Sequence, residues 1–69
     1  MTAEQIGNEI KRARKAKNYT QYLMAGLMGG KSRTCVERAE RETANVTIKK
    51  LIEALDCVGL ELEVKPKKQ

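Results

Sequence analysis

The stretch that decides the fold is "AGLMGGKS", Ala25 to Ser32. With glycine in place of Ala25 it would match the phosphate-loop pattern G-x-x-x-x-G-K-[ST]. A working phosphate loop needs that first glycine, a strand before it, and a βαβ unit whose backbone amides point at the phosphates. Here the preceding residues read as helix. No later segment resembles a second strand carrying a magnesium-binding acid. The Gly-Gly pair therefore reads as a tight turn between two short helices, which sets the expectation of a helix-turn-helix. The small Ala25 suits it, because a large side chain on the inner face would push crossing helices apart.

The flanking segments extend this reading. Thr2 to about Lys17 is an expected helix: Thr2 and Gln5 fit a capping box, and Ile6, Ile10 and Ala13 form a helical stripe. Lys11, Arg12, Arg14, Lys15 and Lys17 crowd its last turns, where they complement the helix dipole. Thr20 to Met28 is a second, short helix, with Thr20 as N-cap and Tyr19 spaced to staple onto Met24. Leu23, Leu27 and Met28 are its expected inner face, with Met24 beside them. Gly29-Gly30 stops it. Ser32 then caps a third helix to about Glu42, with Val36 and Ala39 inward and Cys35 at the edge. A short helical turn fits Thr43–Val46. Thr47 caps a further helix with the stripe Ile48, Leu51, Ile52, Leu55, Val58, and Gly59 ends it.

The period changes in "LELEVK", where Leu60, Leu62 and Val64 alternate with Glu61, Glu63 and Lys65, the pattern of a half-buried strand. Pro66 ends it, and a basic tail follows at 67–69. A lone strand leaves its backbone groups unpaired. The same strand from a second copy, related by a two-fold axis, would pair with it. The expected fold is thus mainly α: a compact bundle of four to five short helices (residues 1–59), then a C-terminal dimerisation strand and tail (60–69).

Size and composition agree with a dimer. At 69 residues the chain is one domain and buries only about 60% of its unfolded surface. Phe and Trp are absent and Tyr19 and Tyr22 are the only aromatics, so Leu, Ile, Val, Met and Ala must build the core. Such small domains often need a staple, a metal or a second subunit. Cys35 and Cys57 lack metal-ligand spacing and histidine is absent; both cysteines read as small apolar residues in a reducing cytoplasm. The opening "MTAEQIGNEI" has no apolar run of a secretory leader, and no segment approaches the roughly 18 apolar residues of a membrane span. A cytoplasmic protein with no membrane partner is expected.

The net charge of +5 is uneven: residues 1–17 carry five bases and two acids, and residues 18–30 carry no charge. A basic balance suggests an acidic partner, most commonly nucleic acid. An enzyme is not expected, because no histidine, metal set or carboxylate pair supplies a reaction. No cofactor is expected either.

The ordered set "IGNEIKRARKAKNYTQ", Ala25, Gly29, "SRTCVERAER" and "NVTIKKLIEALDCVGLELEV" resembles the Xre-type helix-turn-helix regulators, the group of the lambda repressor and Cro-like proteins. The resemblance covers roughly residues 6–65. A last helix, a glycine and an alternating strand resemble the short HipB-like antitoxin branch, whose C-terminal strands pair across a dimer. Between Gly29 and Val36 the chain carries one residue more than the family turn. Without that insertion Cys35 and Arg38 would fall on core positions, and a buried Arg38 would need a costly partner. With it, Val36 and Ala39 face inward.

The resemblance implies that the third helix enters the major groove. Arg33 is then the candidate reader of guanine, Thr34 meets a base edge or a thymine methyl, and Glu37 and Arg38 complete the base-facing set. Gln21, Lys31, Ser32, Arg41 and Arg14 are the phosphate candidates, which position without specifying sequence. Leu60, Leu62 and Val64 would form the dimer contact. The implied function is a dimeric, sequence-specific DNA-binding regulator, a repressor on a roughly palindromic operator. The alternative is an antitoxin-like protein that mainly binds and neutralises a toxin partner, with autoregulation secondary.

Overall fold

In a computed structural model, which describes residues 2–64 and 66, four α-helices and one 3₁₀ turn fold against each other. They are α1 (Ala3–Ala16), α2 (Gln21–Leu27), α3 (Arg33–Arg41), the 3₁₀ turn (Thr43–Asn45) and α4 (Ile48–Cys57). α1 packs on α3 and on the 3₁₀ turn, α2 packs on α3, and α3 packs on α4. No helix is long and apolar enough to cross a membrane.

The starts of the helices follow from their caps. The Thr2 hydroxyl accepts from the Gln5 amide at 3.2 Å, and the Thr2 amide donates to Gln5 Oε1 at 2.8 Å, a complete capping box. The Thr20 and Thr47 hydroxyls accept from the amides of Leu23 and Lys50. Ser32 departs from expectation. It occupies the N-cap of α3 with extended backbone, but its side chain makes no capping hydrogen bond.

The core is small. Ile10, Met24 and Val36 are its largest fully buried side chains, joined by Ala25, Met28, Ala39, Leu51, Ala54, Leu55 and Val58. Val36 and Ala39 face inward, as expected, and Arg38 faces solvent. Gly29 and Gly30 both take positive φ (90° and 80°), and the Lys31 amide donates back to the Ala25 carbonyl at 3.0 Å. Two successive left-handed residues close the loop, which L-residues with a Cβ rarely do. At the end of α1, Asn18 takes the left-handed conformation (φ 59°), one of the few side chains that tolerates it.

Two inward stripes need correction. Leu23 and Leu27 lie outside the core, 49% and 56% exposed; the buried face of α2 is Met24, Ala25 and Met28. The polar Gln21, three and four residues before Met24 and Ala25, points at α3, and this sets the rotation of the helix. On α4, Leu51, Ala54, Leu55 and Val58 are buried while Ile48 and Ile52 are exposed. The cysteines are free and half-buried at the core edge. Burial pushes the Cys57 thiol up despite the opposing charge of Lys17, so it stays protonated at neutral pH.

Residues 60–64 form no strand, and the described residues contain none. A strand is defined by its ladder, and a single chain offers no second edge. Leu60 packs on the chain's own core, so of the three expected dimer residues only Leu62 and Val64 are exposed. Lys65 and the basic tail at 67–69 lie outside the described residues.

Gly7 lies where α1 meets the end of α3. A Cβ there would overlap the Glu40 carbonyl oxygen and the Thr43 hydroxyl, whereas one at Gly26 would meet nothing. Gly7→Ala is therefore expected to destabilise by about 1–3 kcal/mol, since the backbone carbonyl has nowhere to go. Gly26→Ala is expected to stabilise by about 0.5–1 kcal/mol through helix propensity and a less free unfolded chain. Urea unfolding of the two variants checks the opposite signs.

Candidate nucleic-acid interface

The outer face of α3 carries Arg33, Thr34, Glu37, Arg38 and Arg41. At 100° per residue these five positions span one continuous arc. All are exposed except Glu37, which is half-buried. The opposite arc holds Val36, Ala39 and Glu40, all buried. One helix thus divides into a core face and a hydrogen-bonding face.

Glu40 is the unexpected member of the buried arc. Its carboxylate accepts from Arg14 Nε at 2.6 Å and from the Arg14 terminal nitrogen NH2 at 3.3 Å. The other terminal nitrogen, NH1, donates to the Tyr19 carbonyl at 2.8 Å. Arg14 is 8% exposed and Glu40 8% exposed, so this is a buried, two-pronged ion pair. Arg14 was expected at a DNA phosphate; it is instead consumed inside the fold. The reason lies on α1: Ile6, Ile10 and Arg14 are four apart, so Arg14 continues the inward stripe. Its partner sits four residues after Val36 on the inward side of α3.

The pair also reaches the outer face. Gln21 Nε2 donates to Glu40 Oε1 at 3.4 Å, which leaves its amide oxygen turned toward α3's first residue. That oxygen accepts from Arg33 NH1 at 3.3 Å. Gln21, expected at the DNA backbone, is thus also a link between the buried pair and Arg33.

Arg33 additionally lies over the Tyr22 ring, 5.7 Å from its centroid, and 3.9 Å from Glu37. Glu37 shares its carboxylate with Arg41 at 3.4 Å, and Arg38 pairs with Glu42 at 3.7 Å. These are exposed pairs, each worth about 0–1 kcal/mol, so a phosphate or base can displace them.

An open groove between α1 and α3 adds residues that the sequence reading passed over. Lys11 and Lys15 line it with Gln21, Arg33, Glu37 and Arg41, above the Arg14–Glu40 pair. Four cations, Lys11, Lys15, Arg33 and Arg41, thus share this lining with the half-buried Glu37. Both lysines lie in the basic cluster of α1, on either side of Arg14 in sequence. The signal that separates them is helical phase: Lys11 and Lys15 are one position past Ile10 and Arg14, out of the stripe. Lys31 is half-buried and Ser32 exposed at the entry to α3. Compared with known proteins, the chain matches no family model and no curated protein.

Removing one member of the buried pair strands the other. Arg14→Met or Glu40→Leu alone is expected to cost about 3–5 kcal/mol. The double variant is expected to lose far less than the sum of the two, because no buried charge is left unpaired. A double-mutant cycle by urea unfolding measures the coupling.

Proposed function

We propose that this chain is a sequence-specific, double-stranded DNA-binding regulator that acts as a homodimer, a repressor of the Xre type with a C-terminal strand like that of the HipB-like branch. The observation that carries the reading is the division of α3: a buried arc locks the helix to α1 and α2, and Arg33, Thr34, Glu37 and Arg38 stand together on the open arc. A guanidinium can bond guanine O6 and N7 at once, a threonine can meet a thymine methyl, and a carboxylate can accept from cytosine N4. Lys31, Ser32, Gln21 and Arg41 flank these as phosphate contacts, joined by Lys11 and Lys15 in place of Arg14.

Dimerisation supplies the two half-sites, about 34 Å apart or a multiple of that on a palindromic operator. Leu62 is 39% and Val64 91% exposed on the alternating segment, which supports pairing of this segment with its copy. An antitoxin-like role draws support from a separate observation. Tyr22, Leu23, Leu27 and Ile48 are large apolar side chains left in solvent, a surface that a protein partner could cover. A co-purifying larger protein would favour that role.

Selection of bound sites from random duplexes tests the DNA reading. Wild type is expected to enrich a palindrome. Arg33→Ala is expected to relax one position per half-site, at a cost of about 1–3 kcal/mol there. Lys31→Ala is expected to weaken all sequences alike and to lower the salt slope by about 1. Binding without sequence preference or salt dependence refutes the reading.

The assembly is tested by mass in solution. Wild type is expected at twice the mass of one chain, and Leu62→Glu with Val64→Glu at the monomer mass, with helical content retained. A wild-type monomer under conditions of tight DNA binding removes the strand-paired dimer.

A further inference from the structure

We propose that Tyr22 is a positioning residue for Arg33, and that its ring sets how strongly the protein discriminates guanine in each half-site. The inference rests on the DNA-reading role proposed above. An exposed arginine ordinarily samples many rotamers, and that freedom blurs any base contact it makes. Arg33 is held from two directions by neighbouring residues of α2. Gln21 Oε1 accepts from NH1 at one corner, at 3.3 Å, and the Tyr22 ring lies against the guanidinium, 5.7 Å from its central carbon. Gln21 is itself fixed by its bond to the buried Glu40.

The division of the guanidinium is informative. NH1 is engaged by Gln21 and approached by Glu37, while Nε and NH2 make no hydrogen bond among the described residues. That free edge carries two parallel N–H groups. Arg14 uses the same edge, Nε with NH2, to grip the Glu40 carboxylate, and holds NH1 to a carbonyl. Arg33 therefore presents a fork that fits O6 and N7 of guanine side by side, already oriented by its corner and its face. Tyr22 has no competing duty in the core, being 74% exposed. A cation over an aromatic face is attracted by the ring's quadrupole, which a leucine lacks although it keeps part of the apolar bulk.

The experiment compares Tyr22→Phe, Tyr22→Leu and Tyr22→Ala on the duplex that wild type selects from random DNA, and on that duplex with each guanine replaced in turn. Tyr22→Phe is expected to keep wild-type discrimination. Tyr22→Leu and Tyr22→Ala are expected to lose about two- to fivefold at one guanine per half-site, with affinity for a scrambled duplex and its salt slope unchanged. In the free protein, the ring-current shift on the Arg33 side-chain protons is expected in wild type and Tyr22→Phe, and absent in the other two. Wild-type discrimination in Tyr22→Ala overturns the proposal. So does discrimination in Tyr22→Leu equal to wild type, which would assign the effect to bulk, and so does loss in Tyr22→Phe, which would assign it to the hydroxyl. A wild-type protein that selects no sequence but shows the Arg33 shift overturns the DNA reading and leaves the ring contact standing as structure alone.

Discussion

The Arg14 guanidinium ties together parts of the chain that hydrophobic packing alone would leave free to rotate. From α1 it grips Glu40 of α3 and the carbonyl of Tyr19 in the intervening turn, and Glu40 in turn accepts from Gln21 of α2. With so few large side chains fully buried, the core offers little shape specificity. Hydrogen bonds are directional, and these fix the azimuth of three helices at once. A buried ion pair of this kind is weak as a source of stability, because desolvation offsets most of its attraction. Its consequence here is geometric: it decides which side chains of α3 meet solvent.

That constraint also explains which parts of the architecture were legible in advance. Thr2, Thr20 and Thr47 announced three helix starts, and Gly29-Gly30 announced the turn, because caps and left-handed positions act through a few local atoms. The inward face of α3 was legible too, since Arg38 in a small core would need a costly buried partner while Val36 and Ala39 would not. Rotation of α2 was not. Leu23 and Leu27 outrank Ala25 on any apolarity count, yet the partner of Gln21 lies nineteen residues away on another helix. Arg14 was misplaced for the same reason: its charge suggested the surface, while its phase and its partner Glu40, twenty-six residues on, put it inside. Lys11 and Lys15 were overlooked as groove residues as a direct result. The C-terminal alternation set the expectation of a strand, and residues 60–64 form none, because alternation alone supplies no hydrogen-bonding partner.

The outer face of α3 is not simply basic. Glu37 sits between Arg33 and Arg41 and partly neutralises both. A face of bare cations would bind any phosphate backbone; a carboxylate among them repels phosphate and accepts only from a donor placed to meet it. The lysines of α1, Lys11 and Lys15, line the same groove as Glu37.

The elbow between α2 and α3 has an uncommon consequence for chirality. Gly29 and Gly30 both hold positive φ, and a Cβ at either would meet nothing within 4 Å. Space is therefore not what confines these positions to glycine; handedness is. A D-alanine prefers this backbone conformation as an L-alanine prefers its mirror image. Among the described residues, this pair of positions that natural L-residues fit poorly is thus one that mirror-image residues would suit and stiffen.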